Sequence, residues 1–145
     1  MFANLPRTAL WLGAAGLAPF LALSLACLIL RGEAQSWSGH ALAAYGATIL
    51  AFLGGLHWGF ALAPGEVRPD PLALSAGVAP QLIGWAALLL PLRAGLLVLA
   101  AALVAALWLD TMAVRRGRAP AWLLSLRLPL SAAAALCLGA AAIAS

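Results

Sequence analysis

Charge is what this chain has least of: 8% of its 145 residues are charged, against 66% hydrophobic. A soluble domain carries about 25% charged residues, and one this small has too much surface to leave so apolar. A water-soluble fold is therefore excluded. Lysine is absent, so all eight basic residues are arginine, as the coding bias of a G+C-rich bacterial genome produces alongside heavy use of Ala, Leu and Gly. These arginines are scattered and form no basic stripe, which excludes a nucleic-acid surface despite the basic isoelectric point.

Metal-ligating and nucleophilic patterns are equally scarce. Cys27 and Cys137 lie in separate apolar runs without a CxxC pair or a nearby histidine, so neither a disulfide framework nor a metal site is expected. The two histidines, His40 and His57, fall in one apolar stretch at positions that a membrane helix places near opposite faces, so they do not clamp one haem iron. There is no phosphate-binding glycine loop, HExxH motif or serine-centred triad. No cofactor is expected, and lipid is the natural bound molecule for such a chain.

What is present is a set of five apolar runs, at residues 8–30, 41–63, 72–90, 94–112 and 122–144. A bilayer span takes about 20 residues. The first run is longer than a signal-peptide core and reads as a retained helix. The fold class is all-α: one transmembrane domain, an integral membrane bundle of five helices. Short breaks at 31–39, 64–71, 91–93 and 113–121 make sequential helices antiparallel neighbours. No internal repeat supports a duplicated transporter core.

Arginine placement sets the orientation. The densest cluster, Arg115, Arg116 and Arg118, belongs in the cytoplasm; Arg7 and Arg68 then share its side, and Arg31 and Arg93 fall outside. The N-terminus is expected inside and the C-terminus outside. Trp11, Trp108 and Trp122 approach the inner interface and Trp37 the outer one, which is aromatic-belt behaviour rather than a cofactor cage. The loop carboxylates Glu33, Glu66 and Asp70 read as solvated.

Polar groups within lipid need a partner or a purpose. Four stand out, one on each of four helices: His57, Gln81, Asp110 and Arg127. With the expected orientation all four fall in the inner half of the membrane. At 100° per residue, His57 shares its face with Gly46, Leu50, Gly54 and Ala61, so it turns into the bundle, because small residues allow close helix approach. Its imidazole either hydrogen-bonds a backbone carbonyl or Gln81, or serves as a protonatable or ligand-binding group. Asp110 and Arg127 read as an ion pair at the interface, with a lipid phosphate or anionic headgroup as the other partner open to Arg127. Gly55 and Gly59 form a GxxxG pair on nearly the opposite face, suited to another helix or another protein. Pro19, Pro80 and Pro129 each remove a backbone donor within a helix, giving a kink or a polar site at the break.

The segments Leu12-Gly13-Ala14-Ala15-Gly16-Leu17-Ala18-Pro19-Phe20 and Tyr45-Gly46-Ala47-Thr48-Ile49-Leu50-Ala51-Phe52-Leu53-Gly54-Gly55-Leu56-His57-Trp58-Gly59 carry a resemblance, most specific at GGxHWG. With Pro80, Trp85, Asp110 and Leu126-Arg127-Leu128, the chain resembles a domain-of-unknown-function family of small proteobacterial inner-membrane proteins. The mitochondrial relatives of that family are called transmembrane protein sixty-nine. The resemblance implies a multi-helix inner-membrane protein and favours His57 as a site residue; it brings no reaction with it.

Three functions compete. The first is a non-enzymatic accessory, assembly or stabilising subunit of a larger energy-transducing inner-membrane complex. It fits the scant extramembrane mass and the GxxxG face, and its partners would be other integral membrane proteins within the lipid bilayer. The second is a small transporter or ligand-binding bundle with its polar site in the cytoplasmic half. A membrane enzyme using His57, Asp110 and Arg127 ranks third, since no residue pattern indicates a substrate.

Overall fold

An apolar run with no water to satisfy its backbone must hydrogen-bond to itself, and each of the five runs is helical. The computed structural model describes residues 6–62 and 71–145. It contains α1 (Arg7–Ile29), α2 (Glu33–Ala61), α3 (Pro71–Leu88), α4 (Leu92–Arg115) and α5 (Trp122–Ala144). The fifth helix has the bounds expected from hydropathy.

The second differs most: it starts at Glu33 rather than at 41, so the expected break at 31–39 shrinks to a tight turn. Gly32 takes φ +65°, a left-handed conformation that costs glycine little. Its carbonyl accepts the Ser36 N–H at 3.1 Å, and Glu33 in the first turn suits the positive end of the helix dipole. Hydropathy marks the apolar part of a helix and misses a polar extension. The same effect lengthens α4 over Arg93 and Arg115. Glu33 is therefore a helix residue and not a loop carboxylate. Most of the expected break at 64–71, with Glu66, Arg68 and Asp70, lies outside the described residues.

Consecutive helices pack against one another, α5 returns to α1, and α2 reaches across to α4 and α5. Leu42, Leu50, Leu96, Leu99 and Leu138 are fully enclosed, whereas Trp11, Trp37, Leu136 and Ile143 stand on the outside. That is the distribution of a bundle solvated by lipid. α1, α2, α4 and α5 are each long and apolar enough to cross a bilayer; the described apolar stretch of α3 is Gly77–Leu88.

Small residues set the tightest seam. A Cβ on Gly54 would strike the Gly77 carbonyl, and one on Gly84 would lie 3.3 Å from the Ala47 backbone. Gly54 pairs with Gly77 and Ala47 with Gly84, so the contact recurs every seven residues along both antiparallel helices. Gly95 of α4 approaches the Ala87 carbonyl in the same way, whereas Gly46 makes ordinary contacts with Leu99 and Leu138. Among the described residues, nothing lies within 4 Å of a Cβ at Gly55 or Gly59.

Pro19, Pro80 and Pro129 all lie inside their helices. Beside Pro19, the Tyr45 hydroxyl of α2 donates to the Gly16 carbonyl of α1 at 2.8 Å. This bond gives a further donor to the carbonyl next to the one that Pro19 leaves without its helical partner, and it ties the two helices together.

Candidate functional site

Three of the four polar residues expected to converge do so. His57 sits in the last turns of α2, Asp110 in the last turns of α4 and Arg127 in the second turn of α5. Alternating helix direction brings these positions to one end of the bundle. Each is carried on a stripe of small or apolar buried residues: Gly46, Leu50, Gly54 and Ala61 around His57, and Leu99, Leu103, Ala106 and Ala113 around Asp110. Asp110 has no exposed surface at all, and His57 and Arg127 are more than nine-tenths buried.

The Arg127 Nε donates to Asp110 Oδ2 at 2.8 Å. His57 Nε2 lies 3.0 Å from Asp110 Oδ1, an ion-pair distance that stops short of an aligned hydrogen bond, so neither atom has a hydrogen-bond partner. The His57 ring meets Phe60 edge-on, with centroids 6.0 Å apart. One carboxylate thus gathers an imidazole and a guanidinium from two other helices. Single buried charges are costly, while a paired and hydrogen-bonded set is tolerated.

Gln81 is not in this cluster. Expected beside His57 as the alternative to a backbone carbonyl, it is exposed on the outer side of α3. Pro80, Gly77 and Gly84 face α2, and one residue beyond Pro80 the helix has turned by about 100°, out of the narrow seam. The partner of His57 is Asp110 instead.

Two polar groups remain unsatisfied beside the cluster. Among the described residues, Arg127 Nη2 and Ser131 Oγ are buried without a hydrogen-bond partner. Ser131 is one turn beyond Arg127, on the same face of α5. Both residues wall a cavity of about 320 Å³ between α1, α2 and α5, otherwise lined by apolar side chains and the Trp122 ring. Sequence reading missed Ser131. The i, i+4 spacing from Arg127 was the available signal, but serine is common enough in membrane helices to pass unremarked.

A consequence for His57 follows from this geometry. His57→Leu should insert into the membrane at least as well as the native chain, since leucine is the better membrane residue. Its folded state should nevertheless be weaker by about 1–3 kcal/mol, because Asp110 Oδ1 loses the imidazole nitrogen that lies 3.0 Å away. Unfolding in mixed micelles measures this; undiminished stability would show that the 3.0 Å contact carries no weight.

The sequence family described as "Protein of unknown function (DUF3429)" matches residues 5–143. The chain belongs to this family. Two proteins named "Transmembrane protein 69" are similar to it. The one from Xenopus tropicalis is 42% identical over 85 residues, covering 58% of this chain and 33% of that protein. The one from Mus musculus is 40% identical over 85 residues, covering 58% and 34%. The chain thus spans about a third of the length of these relatives. No solved structure matches. The apolar helices and the relatives' name agree: this is a multi-pass membrane protein. The family match takes in His57, Asp110, Arg127 and Ser131 together.

Proposed function

We propose that this chain is a ligand-binding protein of a bacterial inner membrane, with its site in the cytoplasmic half of the bilayer. One observation carries the reading: an apolar cavity whose wall holds two buried, unpartnered hydrogen-bonding groups, Arg127 Nη2 and Ser131 Oγ. Leaving such groups unsatisfied costs about 1–3 kcal/mol each, and a ligand oxygen would recover that cost. A cavity near the lower end of the usual range of about 300–1,000 Å³ suits a slender molecule. The test is purification in mild detergent, solvent extraction and mass spectrometry of what is released. A discrete amphiphile enriched over bulk lipid is the expected result; bulk lipid alone would count against the reading.

A second reading, an accessory or assembly subunit of a larger energy-transducing complex, is favoured by the open Gly55–Gly59 face of α2. Glycine weakens a helix by about 1 kcal/mol relative to alanine, so two in GxxxG register on a lipid-facing stripe fit close docking of another helix. In the same purification, a stoichiometric polypeptide partner without an enriched small molecule would favour this reading.

The orientation has its own check. With Cys27 and Cys137 replaced by alanine, an impermeant maleimide should label Ser145→Cys in intact spheroplasts, and Arg116→Cys only after permeabilisation. The reverse pattern would move the site to the outer half and leave its geometry unchanged.

A further inference from the structure

We infer that the cavity between α1, α2 and α5 takes a single-chain amphiphile with an oxyanion headgroup, held by Arg127 and Ser131. This rests on the ligand-binding reading above and names the chemistry of its ligand. The two unsatisfied groups, a guanidinium nitrogen and a hydroxyl, are both donors, and they lie one helical turn apart on α5. A carboxylate or phosphate oxygen is the acceptor that matches such a pair with charge-assisted bonds.

The ion pair leaves room for a further acceptor. Asp110 engages Arg127 through Nε, so the Nη2 donor stays free to meet a second oxyanion.

The rest of the cavity fits a chain and little else. Its wall on α1 runs from Ala9 to Phe20, about 16 Å at 1.5 Å per residue. Gly16 keeps that wall low, whereas Gly13 packs against Leu126 and Leu130. A Cβ on Gly16 would meet only the Tyr45 hydroxyl, at 3.9 Å, so a larger side chain there would project into free space. Such an apolar groove, open to the lipid beside Leu12 and Phe52, suits a hydrocarbon tail. Leu126 and Leu130 flank Gly13, so Arg127 and Ser131 sit partway along this wall, and the tail leaves the headgroup along the groove that Leu12 and Phe52 border on the lipid side.

The test uses the full chain in phosphatidylcholine nanodiscs, with empty nanodiscs as the baseline. The probes are dodecanoate, dodecyl phosphate and neutral dodecanol. Saturable binding of at least one of the two anions is expected, tighter than dodecanol by about tenfold or more. Whichever anion binds tighter identifies the headgroup as a carboxylate or a phosphate ester. Ser131→Ala should weaken the anion by about tenfold without unfolding the protein, since it removes a buried hydroxyl that has no partner. Gly16→Leu should abolish saturable binding of all three probes. Dodecanol binding as tightly as both anions, with Ser131→Ala unchanged, would overturn the headgroup assignment and leave the cavity as an apolar site. No saturable binding of any probe would defeat both this inference and the ligand-binding reading.

Discussion

Asp110→Ala is expected to destabilise the bundle by about 3–5 kcal/mol, because it strands the buried Arg127 guanidinium without its carboxylate. Asp110 has no exposed surface, so water cannot take over the lost interaction. Arg127→Leu should also be costly, although His57 still faces Asp110 Oδ1 and softens the loss. The double variant should cost less than the sum of the single ones. Once both charges are gone, the desolvation penalty goes with them, and apolar replacement of a buried pair is often nearly neutral. Unfolding titrations of the four proteins in mixed micelles give the coupling directly. Additive losses would mean that the 2.8 Å bond between α4 and α5 does not form in the membrane.

Gly54→Ala and Gly55→Ala should behave oppositely despite being neighbours in sequence. A methyl group on Gly54 meets the Gly77 carbonyl, which is backbone and cannot rotate away. The α2–α3 seam must then open, at a cost of about 1–3 kcal/mol, typical of overpacking. The methyl group on Gly55 meets nothing, so its main effect is the gain of up to about 1 kcal/mol in helix propensity. Thermal unfolding of the purified protein separates the two. Equal effects would mean that α2 and α3 are further apart than the seam requires. If Gly55→Ala is neutral when purified but lowers abundance in native membranes, that face has a partner there.

How much of this was legible in the sequence varies with the physics involved. The five helices were plain because lipid imposes a length and a composition on a crossing, and four of them are long and apolar enough to make one. The bounds of α5 needed nothing further, since its apolar run and its helix coincide. The extension of α2 to Glu33 was hidden because helix geometry does not stop where hydrophobicity does. Asp110 and Arg127 could be paired from cost alone: two opposite charges near one end of adjacent antiparallel helices have few alternatives. His57 turns inward because Gly46, Leu50 and Gly54 define a face that one helix carries in its own sequence. Its partner was less accessible. Choosing between Gln81 and Asp110 requires the rotation of α3 about its axis, which the Gly77–Gly84 seam sets and composition does not reveal. Ser131 and the cavity were out of reach for a related reason. A void is a property of how three helices fail to close, and no single helix encodes it.

The central claim, that the α1–α2–α5 cavity holds an amphiphile in the membrane, is tested most directly by photolabelling. A dodecanoic acid carrying a diazirine next to its carboxyl end would be crosslinked to the chain in native membranes and the modified peptides mapped. Labelling should concentrate on cavity-lining residues such as Gly13, Gly16 and Leu17 of α1 and Ala134 of α5. It should be competed away by unlabelled dodecanoate and lost in Gly16→Leu. Labelling spread over lipid-facing residues such as Leu136 and Ile143, which are 73% and 81% exposed, and indifferent to competitor and variant, would contradict the account.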